Sequence, residues 1–148
     1  MITWKYSSFA NLTTAELYEI IKLREKVFVV EQECVYLDCD GFDYVALHLM
    51  GFQDSELIAY LRVLPPATAY EELSFGRVVT SPTARRRGHG RELTMEAMRI
   101  LKADYPGEVL KISAQSYLEQ FYSTLGFQFT GKKYLEDGIP HIEMKTKL

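Results

Sequence analysis

The segment of this 148-residue chain with the densest chemistry reads Val78-Val79-Thr80-Ser81-Pro82-Thr83-Ala84-Arg85-Arg86-Arg87-Gly88-His89-Gly90-Arg91-Glu92-Leu93. A β-branched run stopped by Pro82 leads into a loop with two glycines, and the loop leads directly into a helical pattern. The start of a helix presents unpaired N–H groups and about half a positive charge, which suits a phosphate. Gly88 and Gly90 lack a Cβ and let a ligand approach the backbone. Arg85, Arg86, Arg87 and Arg91 can pair with further phosphate oxygens. Neither G-x-x-x-x-G-K-[ST] nor an early G-x-G-x-x-G occurs, so a P-loop and a dinucleotide fingerprint are both absent. On the glycines alone, a tight turn with solvated arginines accounts for the segment equally well.

The elements around this segment follow from periodicity. Thr3 to Tyr6 alternates as a short strand. Thr13 and Glu16 have capping-box spacing, and the helix they open carries Leu17, Ile20, Ile21, Arg24 and Phe28 at helical intervals. Glu31 to Phe42 reads as a loop. Tyr44–Phe52 and Leu57–Leu64 read as a hairpin, Pro65-Pro66 ends it, and Leu73–Thr80 is the next strand. A helix over about Gly90–Ala103 turns Leu93, Ala97, Ile100 and Leu101 inward. Val109–Ala114 is a short apolar strand. Ser116 and Glu119 repeat the capping-box spacing before a helix with Leu118, Phe121, Tyr122 and Leu125 on one face. Phe127–Leu135 and His141–Lys145 close the chain around Glu136-Asp137-Gly138. Strands interleaved with helices make an α/β or α+β sandwich built on a mixed sheet, in one domain over residues 1–148.

Charge is unevenly placed. The 17 basic and 20 acidic residues give a formal net charge of -3, yet no Lys or Arg occurs between Val27 and Leu61. Seven acids stand there: Glu31, Glu33, Asp38, Asp40, Asp43, Asp54 and Glu56. As a group they suit a cationic partner by field attraction. An acidic balance argues against nucleic acid as the partner of the arginine run. No apolar run is long enough for a membrane span, and the N-terminus has no secretory pattern, so the expectation is a cytoplasmic protein off the membrane. Cys34 and Cys39 with His48 match no common zinc spacing, and no metal is expected.

Arg85-x-x-Gly88-x-Gly90 matches [QR]-x-x-G-x-[GA], and Phe121-Tyr122-Ser123-Thr124-Leu125-Gly126-Phe127 matches F-Y-x-x-x-G-F. Together they resemble the GCN5-related N-acetyltransferases (GNATs). Leu23-Arg24, Val27 to Gln32, Asp40-x-x-Asp43, Ala59 to Pro65, Gly76 to Val79 and Glu136 to Ile142 resemble the ElaA-like branch of that family over nearly the whole chain. The resemblance implies a mostly antiparallel central sheet of six to seven strands with helices on both faces. It implies an acetyl-CoA-dependent N-acetyltransferase acting on a small-molecule or peptide amine, and it allows a homodimer. Val78 and Val79 would face the pantetheine arm, and Arg85, Arg86, Arg87, Gly88, His89, Gly90 and Arg91 would cradle the pyrophosphate. Gln115 or Ser116 stands where many members place a pantetheine-contacting Asn, and Tyr122 would be the general acid.

An acetyl transfer by direct attack needs an unprotonated amine. For a lysine-like amine with a pKa of about 10.4, deprotonation at pH 7 costs about 4.6 kcal/mol, so the site calls for a base. Many GNATs keep a Glu on the fourth strand for this purpose. Leu73-Ser74-Phe75-Gly76-Arg77 has none, which leaves Glu33, Asp40 and His141 as candidates. The alternative to an enzyme is a module that binds acyl-CoA as a sensor without turnover.

Overall fold

The computed structural model describes residues 1–148, and its seven strands form one sheet in the order β1-β2-β3-β4-β5-β7-β6. β1 (Thr3–Ser8), β2 (Leu47–Gln53), β3 (Glu56–Leu64) and β4 (Leu73–Thr80) are successive antiparallel neighbours. β5 (Val109–Gln115) runs parallel to β4, and β7 (Ile139–Lys147) and β6 (Gln128–Glu136) add antiparallel at the far edge. The expected mostly antiparallel mixed sheet is present. The two faces separate by alternation along the strands. Leu49 and Leu61 share a core with Leu93, Ala97 and Leu101 of helix α2 (His89–Asp104). Their sequence neighbours Met50 and Tyr60 share the other core with Ile20 and Leu23 of helix α1 (Thr14–Arg24). Helices therefore cover both faces, with the short α3 (Glu119–Ser123) on the α2 side through Tyr122.

The local signals resolve unevenly. Thr13 and Glu16 form the reciprocal cap: Glu16 N–H donates to Thr13 Oγ1 at 3.0 Å, and Thr13 N–H donates to Glu16 Oε1 at 2.9 Å. Ser116 and Glu119 do not. Ser116–Leu118 is a 3₁₀ turn, and the Glu119 N–H is taken by the Ser116 carbonyl instead of its hydroxyl. The first helix also continues as a π-helical turn over Glu25–Glu31 into the expected loop. β2 starts at Leu47 rather than Tyr44, because Phe42–Tyr44 is a 3₁₀ turn whose Phe42 carbonyl accepts from the Val45 and Ala46 amides.

One ionic network fixes the segment between the π turn and β2. Arg24 is fully buried. Its Nε donates to Asp38 Oδ2 and its Nη1 to Asp43 Oδ1, both at 2.7 Å, and its Nη2 donates to the Asp38 carbonyl at 3.0 Å. Arg62 of β3 holds Asp40 through both Nη atoms (2.8 and 2.6 Å) and Asp43 through Nη1 (3.0 Å). Arg77 of β4 places Nε 2.8 Å from Asp38 Oδ1. His48 spends both ring nitrogens here, on Tyr60 Oη at 2.7 Å and the Asp43 carbonyl at 3.0 Å. Asp38, Asp40 and Asp43 of the acidic run are thus matched inwardly by three arginines from three other elements. Asp38, Asp40 and Asp43 do not provide the free field for a cationic partner expected from the run of acids.

Truncating one partner of a buried ion pair leaves the other as an uncompensated charge, at a cost of about 3–5 kcal/mol. Arg24→Met is expected to lower the urea-unfolding free energy by about that much, because Asp38 and Asp43 lose their fully buried partner. A loss under 1 kcal/mol for Arg24→Met would contradict this role.

Candidate active site

β4 and β5 pair only at Leu73 with Leu110 and at Ser74 with Lys111, and beyond these residues the strands part. β4 bulges at the same place. Tyr60 faces Val79 and Arg62 faces Gly76, so Arg77 and Val78 stand opposite the single residue Leu61. Arg77 takes a φ of 52°, and a bulge of this kind bends its strand. The gap is a cavity of about 450 Å³ with Phe75, Gly76 and Val78 on one wall and Ile112, Ala114 and Gln115 on the other. Val78 therefore lines the cleft. Val79 does not, because its side chain is packed into the α1 core.

The segment after β4 leaves a helix N-terminus open. Pro82–Ala84 forms one 3₁₀ turn, Gly88 adopts a left-handed φ of 79°, and α2 begins at His89 without a side-chain cap. The first helical bond runs from Glu92 N–H to the Gly88 carbonyl, which leaves the amides of His89, Gly90 and Arg91 without an intrahelical partner. A Cβ on Gly90 would meet nothing nearer than Thr80 Cγ2 at 4.0 Å, so the protein's own packing does not demand glycine there. Open amides, a bare glycine and the exposed Arg86 and Arg87 fit a diphosphate. Two expected members of the cradle are otherwise engaged. Arg85 is paired through both Nη atoms with Glu31, and Arg91 donates to Thr124 Oγ1 at 3.1 Å. His89 is buried, with Nδ1 3.2 Å from Glu92 Oε1 and Nε2 unpartnered.

The acid–base candidates divide sharply. Tyr122 lines the cavity, is 4 % exposed, and packs edge-on against Phe121 and Phe127. Burial pushes its hydroxyl far above the usual phenol range, so it stays protonated. Gln115, at the end of β5, pairs with His141 at the start of β7, and both line the cavity. His141 Nδ1 lies 2.7 Å from the Ile139 carbonyl, and Nε2 lies 3.3 Å from Glu136 Oε2. Glu136, which sequence reasoning passed over, lines the same cavity. Its signal was the turn Asp137-Gly138, whose two positive φ angles (51° and 78°) make a two-residue hairpin that brings positions 136 and 141 together. Glu33 is exposed and does not line the cavity. Asp40 lines it but is held by Arg62 and Arg77. Partial burial opposes its ionisation, and the Arg62 hydrogen bonds and charge overcome this to bring its carboxyl down to about 2. A carboxylate so firmly ionised is a poor proton acceptor near neutrality.

The family model for the acetyltransferase (GNAT) domain matches residues 43–148. The chain belongs to the GNAT family. Within the family it is similar to a UPF0039 protein of Synechocystis, 42 % identical over 144 residues that span 97 % of this chain and 94 % of the other. The crystal structure of Escherichia coli ElaA superposes with a TM-score of 0.91 at 35 % identity, covering 98 % of this chain and 99 % of that one. An acyl-CoA N-acyltransferase of Pseudomonas aeruginosa superposes with a TM-score of 0.93 at 40 % identity, again covering 98 % and 99 %. No helix of this GNAT domain is long and apolar enough to cross a membrane. No three His, Cys, Asp or Glu side chains are grouped so as to hold a metal ion, and both cysteines are free thiols.

The depressed Asp40 carboxyl has a stability consequence. A group whose folded pKa lies below its unfolded value stabilises the fold above the unfolded value, and that contribution is lost as pH falls through the folded one. Between pH 4 and 2 the wild type should lose stability as Asp40 protonates, whereas Asp40→Asn should be less stable at pH 7 and flatter across this acid range. Parallel acid-unfolding curves for the two proteins would contradict the assignment.

Proposed function

We propose that this GNAT domain is an acetyl-CoA-dependent N-acetyltransferase that acylates a primary amine by direct attack within a ternary complex. One observation carries the reading: a single cleft between parted strands holds a buried tyrosine and an imidazole, and the strand forming its wall runs into an uncapped, arginine-flanked helix N-terminus. The likeness to the Pseudomonas acyl-CoA N-acyltransferase supports a CoA thioester as donor. The amides of residues 89–91, with Arg86 and Arg87, would hold the diphosphate, and Val78 and Gln115 would flank the pantetheine. Bound acetyl-CoA supplies the thioester carbonyl that the amine attacks.

The protein's own groups manage two protons. His141 Nε2 takes the proton that the acceptor ammonium must lose, a step worth about 4.6 kcal/mol at pH 7 for a lysine-like amine. Tyr122, kept protonated by burial, donates its O–H to the departing sulfur and recovers a proton from the nitrogen of the tetrahedral intermediate, which leaves a neutral amide and a free CoA thiol. No enzyme nucleophile enters the reaction, so neither Cys34 nor Cys39 carries the acetyl group. The same reading takes a small-molecule or peptide amine as acceptor and the cytoplasm as the place of work.

Free-thiol release on a panel of primary amines tests these roles. Tyr122→Phe is expected to lower kcat about 10²-fold or more while acetyl-CoA binding persists. His141→Gln should lose about as much at pH 7, and the deficit should shrink toward pH 10 as the amine deprotonates unaided. A deficit that is constant from pH 7 to 10 would remove His141 from the role of base. Tight acetyl-CoA binding without turnover on any amine would instead favour an acyl-CoA sensor.

A further inference from the structure

His141 and Glu136 line the cleft side by side, with no lysine or arginine paired to the carboxylate. The Ile139 carbonyl, 2.7 Å from Nδ1, can only accept a hydrogen bond, so Nδ1 carries a proton. In the neutral ring Nε2 is then a lone pair, and it faces the Glu136 carboxylate at 3.3 Å. Two acceptors at that range repel unless a proton joins them, either on Nε2 itself or on a cationic N–H donor that bridges both. The hairpin register makes the approach obligatory: Tyr134 lies opposite His141 and Glu136 opposite Ile139, so Glu136 and His141 are diagonal neighbours on one face. Tyr134 stacks on the imidazole at 6.2 Å, with the ring planes 16° apart, and donates its hydroxyl to Ser113 of β5, which fixes the ring plane. No Lys or Arg pairs with Glu136; His141 is its one ionic partner.

Resting on the acetyltransferase reading, we propose that Glu136 and His141 Nε2 form the receptor for the acceptor amine, which is taken up as an R–NH3⁺ cation and deprotonated in place. The ammonium donates one N–H to Glu136 and another to Nε2. Transfer of the second proton breaks that N–H bond and returns its electron pair to the amine, ready for attack. The imidazolium so formed donates Nε2–H to Glu136, whose side chain is 45 % exposed and can pass the proton to water. A quaternary amine has no N–H to offer and gains nothing from the pair.

The test uses the full chain with ¹⁵N-labelled histidine rings, titrated with n-butylammonium and, separately, with tetramethylammonium. The His141 Nε2 resonance should shift saturably with n-butylammonium and not with tetramethylammonium. Glu136→Gln, with nearly the same shape, should weaken that response about tenfold, the equivalent of one charge-assisted hydrogen bond. Glu136→Asp should restore part of it, and both variants should keep the wild-type melting temperature because Glu136 is half exposed. An equal response to both cations, or an undiminished response in Glu136→Gln, overturns the proposal. Acetyl-CoA titration of the same samples separates the two readings. Acetyl-CoA binding without the ammonium response defeats the receptor alone, whereas the ammonium response without acetyl-CoA binding supports the receptor and defeats the acetyl-CoA reading.

Discussion

Three guanidinium groups from three elements converge on three aspartates of one segment, and the shape of the cleft depends on that convergence. Arg24 comes from the end of α1, Arg62 from the middle of β3 and Arg77 from the bulge of β4. Each buried charge is expensive to desolvate, and the carboxylate partners offset much of that cost although Arg62 Nε is left without a hydrogen bond. The segment carrying Asp38, Asp40 and Asp43 therefore has one place to sit, across the strands that carry Arg62 and Arg77. Tyr36, Leu37, Asp40 and Phe42 of that segment then line the cavity. An apolar contact of the same size would tolerate sliding; a bidentate guanidinium–carboxylate pair does not.

The second constraint is the bulge at Arg77. It places one β4 side chain toward the aspartates and the next, Val78, toward the cleft, while the strand turns away from β5. The backbone beyond Ser74 on the cleft side has no β5 neighbour, and the sheet gains an opening in its middle instead of at its edge. Because β4 also feeds the open N-terminus of α2, the cleft wall and the arginine-flanked loop before α2 are one continuous piece of chain. Tyr122 and His141 reach the cavity from α3 and β7, on the β5 side of the opening. In the proposed reaction the fold would thus separate two tasks, with β4 and α2 on the donor side and the C-terminal elements on the proton-handling side.

Much of this was legible in the sequence, and the rest was hidden for identifiable reasons. The strands, the Thr13–Glu16 cap, the loop between β4 and α2 and the helical face that carries Tyr122 depend on local pattern, which a single chain displays. The pairing of the acidic run was not visible, since Arg24, Arg62 and Arg77 lie far from the aspartates along the chain. Their position was nonetheless marked: Arg24 falls on the apolar stripe of α1, and Arg62 interrupts an apolar strand. Ser116 failed as a cap because a 3₁₀ turn satisfied the same amide first. Val79 was assigned to the cleft by motif, and strand alternation sends it to the opposite face. Glu136 escaped notice because its meaning depends on hairpin register.

The cleft and the open start of α2 are proposed to form one CoA site. Calorimetric titration of acetyl-CoA into the wild type and into Gly90→Trp tests it most directly. At Gly90 the nearest neighbour of an added Cβ is 4.0 Å away, so a side chain there projects into space that the fold itself leaves empty. The wild type should bind acetyl-CoA, and a Gly90→Trp protein that keeps the wild-type melting temperature should not. Equal binding by both, or no binding by a well-folded wild type, would contradict it.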